Sequence, residues 1–281
     1  MREVDEALAR VYAQREKGDS RQVVPPAPHW PARVAPPESI ATPSSSAEPN
    51  SSSTPSTTNG PGRFPAPTVL GPTAELQWPA VVLNLEREWG DRFERMADLL
   101  LQCQQQRNLR VILFTSCHRA EGRTTLVLTL ARALSRHPCR TVIVEADLTG
   151  PMLARLLGLR PTVGLDDVVE SGQALSDALI DAADDHLAVL PMRCAVARPR
   201  EFLTGPAWTC SLARLRREYD LILLDGGPLF TGLNAEVLHR SVDAAVLVQH
   251  HGLTSERAIL RAREILKAGG IPLLGLAETF A

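Results

Sequence analysis

From about residue 77 onward, apolar runs typical of buried strands alternate with segments whose apolar residues have helical spacing. Apolar runs of five to seven residues occur six times, with helical patterns such as "TTLVLTLARALSRH" between them. The runs lie at 110–116, 141–147, 187–191, 221–225, 244–249 and 271–277. Strands that alternate with helices predict an α/β fold with a doubly wound, mostly parallel sheet covered on both faces. A helix is also predicted at 85–106, because its apolar residues fall on one face.

The first 76 residues differ from this pattern. Val4, Leu8 and Val11 have helical spacing and predict a short amphipathic helix within 1–18. Its length leaves open whether it docks on another surface or is a frayed tail. Residues 19–76 are rich in Pro, Ser, Thr, Ala and Gly and cannot bury enough apolar surface to offset the entropy of ordering. The predicted organisation is therefore a helix, a disordered linker and a globular domain at 77–281.

Composition and charge argue against several classes of protein. A net charge of -2 argues against a dedicated binder of nucleic acid or of anionic membranes. No apolar stretch reaches the length of about 18 residues that a membrane-spanning helix needs, and the charged N-terminus lacks the apolar core of a signal peptide. The five cysteines form no C-x-x-C pair, which is typical of reduced thiols. We therefore expect a cytoplasmic protein without direct membrane insertion.

The segment "FTSCHRAEGRTT", at 114–125, lies where a phosphate-binding loop would lie, between a predicted strand and a predicted helix. Backbone N–H groups of such a loop surround phosphate oxygens, helped by the helix dipole. Gly122 would allow close approach, Arg123 would supply positive charge, and Thr124 would offer a hydroxyl to Mg²⁺. Compared with G-x-x-x-x-G-K-[ST], Cys117 replaces the first glycine and Arg123 replaces the lysine. Taken alone, the segment is also compatible with an ordinary strand-to-helix turn.

Two acidic strand ends favour the nucleotide interpretation. "TVIVEADLTGP" ends a predicted strand with Glu145 and Asp147, and "YDLILLDGGP" ends another with Asp225. The second has the form of a Walker B strand, whose aspartate holds Mg²⁺ or its water shell. Buried strands that end in Asp are common, but the order and spacing of all three segments are typical of a P-loop nucleotide site.

On these motifs the globular region resembles the ATPase domain of the bacterial tyrosine kinases (BY-kinases), which regulate exopolysaccharide and capsule synthesis. These are deviant-Walker P-loop NTPases, like the septum-site and partitioning ATPases. The family loop T-S-x-x-P-G-E-G-K-T-T compares with "TSCHRAEGRTT", and the family strand end D-x-D-x-R-x-P compares with "EADLTGP". "HLAVLPMR", "ARPREFL" and "YDLILLDGGPL" resemble later family segments, so the resemblance covers about residues 80–280.

The resemblance implies a site for ATP or ADP with Mg²⁺. The implied nucleotide-binding residues are Ala120, Glu121, Gly122, Arg123, Thr124 and Thr125. The implied catalytic residues are Asp147, Asp225 and Arg123, and the implied Mg²⁺ ligands are Thr124 and Asp225. The resemblance also implies a protein partner, such as a membrane polysaccharide co-polymerase, that would place the chain at the inner membrane. Assembly of several copies is a further implication, and no nucleic-acid partner is expected.

The departures from the family pattern lie at the positions expected to contact phosphate and Mg²⁺, so the Walker A motif is degenerate. Arg119, Ala120, Arg123, Glu145 and Thr149 replace the family's Pro, Gly, Lys, first Asp and Arg. A Cβ at Ala120 is penalised if that position needs a positive φ, and the planar guanidinium of Arg123 is not a point charge.

Three functions stay open. The first is a P-loop protein with weak or altered ATPase or kinase activity. The second is a non-catalytic pseudo-ATPase regulator or scaffold that docks on a partner. The third is a partitioning-type ATPase, against which His118 argues because that type carries a lysine at this position.

Overall fold

The structure, a computed structural model, describes residues 71–182, 187–231 and 235–280. The helix predicted at 1–18 and most of the predicted linker lie outside the described residues. The strands are β1 Val111–Ser116, β2 Thr141–Ala146, β3 Ile180–Ala182, β4 Leu187–Leu190, β5 Leu221–Pro228, β6 Ala244–His250 and β7 Leu273–Thr279. The described helices are α1 Ala80–Arg107, α2 Arg123–Leu134, α3 Leu153–Leu156, α4 Leu165–Ser171, α5 Leu175–Ala178, α6 Pro199–Thr204, α7 Pro206–Glu218, α8 Ala235–Leu238 and α9 Glu256–Ala268.

The strands form one sheet in the order β3-β4-β2-β5-β1-β6-β7. Every neighbouring pair is parallel except β3 and β4, which are antiparallel. The predicted doubly wound, mostly parallel sheet is therefore confirmed, and all six predicted strands occur. Strand β3 was not predicted, because its three residues, "IDA", are too few to form a recognisable apolar run.

Both faces of the sheet are covered by helices. Strands β1 and β2 are buried at every position, which explains their continuous apolar sequences. Alternate residues of a strand point to opposite faces, and they join two separate apolar clusters. Leu113 belongs to the cluster that contains Trp208 of α7, whereas Ile112 belongs to the cluster that contains Leu130 of α2.

Helix α1 packs against α2 through an apolar face that includes Val82, Ala97 and Leu100. It begins at Ala80, five residues before the predicted start, with Pro79 at the N-cap position. Outside the packed face α1 is rich in charged residues. Among the residues that the structure describes, no helix is both long enough and apolar enough to cross a lipid bilayer.

The chain that leads into α1 also contacts the domain. The N–H group of Ala74 donates to the carbonyl of Asp181 over 3.0 Å, and that of Gln77 donates to the carbonyl of Leu157 over 3.0 Å. Thr73 forms an isolated parallel bridge with Asp181, beside β3. Residues 71–76, the end of the predicted linker, thus lie along the short edge strand of the sheet.

Candidate nucleotide site

The loop between β1 and α2 lies at the carboxyl edge of the sheet, where β1, β2 and β5 end side by side. Asp225 of β5 is in register with Phe114 of β1 on one side and with Glu145 of β2 on the other. In open α/β sheets, ligands bind beyond this edge. The structure therefore brings the predicted loop and both predicted acidic strand ends to one place.

The backbone of the loop has the form of an anion-binding turn. Ala120 and Gly122 have φ values of 61° and 78°, in the left-handed region. No backbone N–H group from Arg119 to Thr125 donates a hydrogen bond to another described residue, and α2 has no capping side chain at its start. Unpaired N–H groups at a helix N-terminus, next to left-handed residues, are a typical binding site for phosphate.

The side chain of Arg123, the first residue of α2, turns inward to the strand ends. Its Nε donates to Oδ1 of Asp225 over 2.8 Å, its Nη2 to Oδ2 of Asp147 over 3.2 Å, and its Nη1 to Oγ of Ser116 over 3.1 Å. Burial opposes the charged form, but the carboxylates of Asp225 and Asp147 outweigh it and hold the pKa of Arg123 above its usual value. All three guanidinium nitrogens are therefore engaged inside the protein.

Asp147 is bound by a second arginine at the mouth of the site. Nη1 and Nη2 of Arg119 donate to Oδ2 and Oδ1 of Asp147 over 3.1 and 3.3 Å, and Nη2 also donates to Oγ1 of Thr149 over 2.7 Å. The side chain of Arg119 is 50% exposed, against 10% for Arg123. Asp147 thus joins one exposed and one buried guanidinium.

Glu145 faces the protein rather than the loop. Its Oε2 accepts the N–H groups of Met152 and Leu153 over 2.8 and 2.7 Å, at the start of α3. Burial, reinforced by the nearby Asp225 carboxylate, raises the pKa of Glu145 to about 8. Burial also raises the pKa of Asp225, although Arg123 and a hydrogen bond from Thr124 oppose this.

Glu121 ties the loop to distant parts of the chain. Its Oε2 accepts the N–H group of His118 over 3.0 Å, and its Oε1 accepts the hydroxyl of Thr254 over 2.6 Å. Its carbonyl accepts the hydroxyl of Thr279, the last residue of β7, over 2.8 Å. Sequence reasoning missed both threonines because they lie 133 and 158 residues from Glu121 and belong to no motif.

The residues for Mg²⁺ are present, but their oxygens are already taken. Mg²⁺ needs oxygen ligands in nearly octahedral geometry, and the Thr124 hydroxyl and the Asp225 carboxylate are of the right chemistry. The guanidinium of Arg123, however, binds both Asp225 and Asp147. Within 71–182, 187–231 and 235–280, no group of three or more His, Cys, Asp or Glu residues is placed to hold a metal ion. The residues as arranged do not fit Mg²⁺ beside Arg123.

The chain thus has a mostly parallel α/β sheet with a loop between β1 and α2 that resembles a P-loop. No protein-family model matches the chain. The chain is 25% identical over 169 residues to the tyrosine-protein kinase CpsD of Streptococcus pneumoniae, an alignment that covers 60% of this chain and 74% of CpsD. It is 28% identical over 170 residues to the tyrosine-protein kinase YwqD of Bacillus subtilis strain 168, covering 60% and 71% of the two chains. The homologues of this chain are bacterial tyrosine-protein kinases, so the predicted resemblance is confirmed.

Solved structures give the same result for the fold. The kinase domain of the Escherichia coli tyrosine kinase ETK matches with a TM-score of 0.66 and 18% identity, over 71% of this chain and 80% of that one. The septum site-determining protein MinD of Pyrococcus horikoshii OT3, complexed with Mg-ADP, matches with a TM-score of 0.50 and 24% identity, over 59% and 68%. The fold is that of tyrosine-kinase domains and MinD-like P-loop ATPases. The roles predicted for individual site residues stay predictions.

Proposed function

We propose that this chain is a BY-kinase-like protein that binds ATP or ADP at the loop 115–125 and regulates exopolysaccharide or capsule synthesis. The observation that carries the proposal is the row of backbone N–H groups from Arg119 to Thr125, which donate to no other residue that the structure describes, at the start of α2. These groups, with the left-handed Ala120 and Gly122, would bind the phosphates of the nucleotide. The names of CpsD and YwqD, both tyrosine-protein kinases, support the same class of ligand.

In this proposal, ATP hydrolysis or phosphoryl transfer is weak or altered. A P-loop cation accelerates the reaction by stabilising charge that develops on the transferred phosphoryl group. Arg123 is the cation of this loop, and its nitrogens are held by Asp225, Asp147 and Ser116. Loss of one such transition-state contact costs about 10²–10³ in rate. Asp147 and Asp225 would complete the catalytic set in whatever activity remains.

The same ion pairs favour a second candidate, a non-catalytic regulator that keeps the fold. Because Arg119 and Arg123 together pair with Asp147 and Asp225, the charges of these two carboxylates are balanced without phosphate or a metal ion. Such a regulator would act through protein contacts. In this role the predicted linker at 19–76 would raise the effective concentration of the predicted helix at 1–18 near the domain's partner.

The proposed partner is a membrane polysaccharide co-polymerase or another protein of that pathway, which would hold the chain at the cytoplasmic face of the inner membrane. Assembly of several copies is part of the proposal, because the resemblance to BY-kinases implies it. A partitioning-type ATPase is not favoured. His118 occupies the position of that type's extra lysine, and its ring packs edge-on against Phe230 with centroids 5.1 Å apart.

Calorimetric titration of the full-length chain with ADP and ATP tests the nucleotide site. Gly122 lies in the loop and has a φ of 78°. Gly122→Ala would place a Cβ there, 3.0 Å from the side chain of Thr279. Gly172→Ala is the matched control, because Gly172 has a φ of 69°, has no atom within 4 Å of the added Cβ and follows α4 rather than belonging to the loop. We expect micromolar binding by the wild type and Gly172→Ala, and binding weakened at least about tenfold in Gly122→Ala.

Absence of heat at millimolar nucleotide, or equal binding by both glycine variants, would contradict the proposed site. ATP turnover by Arg123→Lys then separates the two candidate functions. A rise in turnover indicates a weakened enzyme, because the lysine restores the usual loop cation. Unchanged, negligible turnover in a variant that binds ATP supports the non-catalytic regulator.

A further inference from the structure

We infer that this site takes a nucleoside diphosphate or triphosphate free of a divalent cation, with the guanidinium of Arg123 in the place that the metal would occupy. The inference rests on the proposed nucleotide site. It differs from the expectation drawn from the loop motif, which implied Mg²⁺ on Thr124 and Asp225.

The first argument is geometric. Mg²⁺ in a P-loop site is held near the carboxylates at the strand ends, and here those carboxylates share one cation. Nε and Nη2 of Arg123 lie 2.8 Å from Oδ1 of Asp225 and 3.2 Å from Oδ2 of Asp147. The side chains of Asp147 and Asp225 are 3% and 1% exposed, so no open side is left for a hydrated metal ion.

The second argument concerns desolvation. Mg²⁺ gives up its water reluctantly and usually keeps several water ligands. To reach Asp225 it would have to displace a buried guanidinium and leave that charge without its partner, which is strongly unfavourable in a protein interior. Arginine stays protonated at every ordinary pH, so Arg123 does not release the two carboxylates by losing its charge.

The third argument is specific to arginine. A guanidinium presents five N–H donors in a planar fork and reaches two carboxylates and a hydroxyl at once, as Arg123 does with Asp225, Asp147 and Ser116. A lysine ammonium is a compact point charge on one atom and cannot span the same three partners. The substitution of arginine for the loop lysine therefore changes which cation the acidic strand ends hold.

The test compares ADP binding to the full-length chain in excess Mg²⁺ and in excess EDTA, by calorimetry. For the wild type we expect ADP to bind more tightly in EDTA than in excess Mg²⁺, because Mg²⁺ complexes ADP in solution and the site takes the free nucleotide. Arg123→Lys frees at least one carboxylate, so Mg²⁺ should tighten its ADP binding at least about tenfold relative to EDTA. The control is Arg140→Lys, since Arg140 also pairs with a carboxylate, Asp220 at 3.3 Å, but at a more exposed place outside the loop. It should bind as the wild type does in both buffers.

Each outcome decides one point. Wild-type binding that requires Mg²⁺ overturns the inference and leaves the proposed nucleotide site standing. Wild-type binding in neither buffer overturns the proposed site itself. Metal-independent binding by Arg123→Lys refutes the role assigned to Arg123. The wild-type comparison needs no variant, so it decides the matter even if Arg123→Lys fails to fold.

Electron paramagnetic resonance of Mn²⁺ gives a second readout. Added to the wild type with saturating ADP, Mn²⁺ should give the spectrum of Mn²⁺ with ADP alone, because Arg123 already holds the carboxylates of Asp147 and Asp225. Added to Arg123→Lys with ADP, it should give the broadened spectrum of a protein-bound ion. A protein-bound spectrum with the wild type would refute the inference independently of any affinity measurement.

Discussion

The Nε–H group of Arg123 donates to Oδ1 of Asp225 over 2.8 Å, and the two side chains are 10% and 1% exposed. This contact joins the first residue of α2 to β5 across 102 positions of sequence. It fixes the phosphate-binding loop to the centre of the sheet. The residue that should meet the nucleotide is thereby also part of the packed interior.

The two arginines that share Asp147 should contribute very differently to stability. Arg123→Ala leaves the buried carboxylate of Asp225 without its counter-charge, and we expect it to lower the free energy of unfolding by about 3–5 kcal/mol. Arg119 makes a similar pair, but its side chain is 50% exposed, so Arg119→Ala should cost less than about 1 kcal/mol. Urea denaturation of both variants checks this, and losses of equal size would contradict the buried arrangement of Arg123.

Glu145 should make the stability of the domain fall as pH rises toward 8. The folded state holds the pKa of this carboxyl at about 8, above its ordinary value of 4.5, so the native protein binds the additional proton across that window. Each pH unit in the window should therefore cost at most about 1.4 kcal/mol of stability, levelling off above the folded pKa. Denaturation midpoints between about pH 5 and about pH 8 measure the slope.

Glu145→Gln should remove that slope, because the amide oxygen still accepts the N–H groups of Met152 and Leu153 but does not titrate. Glu170→Gln, at an exposed position of α4, is the control and should keep the wild-type slope. If Glu145→Gln and the wild type lose stability in parallel as pH rises, Glu145 is not the group responsible.

The parts of the site that were predictable are those with local signals. Asp147 and Asp225 end apolar runs, and the loop follows the first run directly, so each could be placed from neighbouring residues. The direction of the Arg123 side chain could not, because it depends on which buried carboxylates meet it after the sheet has formed. Thr254 and Thr279 reach Glu121 through folding alone. Short antiparallel β3 lacks the periodicity that a strand prediction needs.

Substitution of Ala120 by glycine should stabilise the protein, whereas the same substitution at an ordinary surface alanine destabilises it. Its φ of 61° places a Cβ in the left-handed region, which costs about 1–2 kcal/mol, more than the entropy that glycine adds to the unfolded chain. We expect Ala120→Gly to raise the free energy of unfolding by about 0.5–1 kcal/mol. Ala174→Gly, at an exposed position with a φ of -70°, should lower it. Thermal and urea denaturation measure both, and destabilisation by Ala120→Gly would contradict the strained loop.

Thr279 should support the nucleotide loop from the far end of the chain. Its hydroxyl donates to the carbonyl of Glu121 over 2.8 Å, next to Gly122, so Thr279→Val removes the hydrogen bond while keeping the shape of the side chain. We expect a loss of about 0.5–1.5 kcal/mol in stability. ADP affinity should fall by up to about tenfold, because a loop that has lost this hydrogen bond must be ordered when the nucleotide binds.

Thr204→Val separates this effect from a general cost of replacing threonine. The Thr204 hydroxyl donates over 3.0 Å to the carbonyl of Arg200 in its own helix, α6, and the residue is exposed. Thr204→Val should leave ADP affinity unchanged in the calorimetric titration. If Thr279→Val also binds ADP as tightly as the wild type, the contact between β7 and the loop has no part in nucleotide binding. A selective loss in Thr279→Val means that the last described strand helps to hold the loop in its phosphate-binding form.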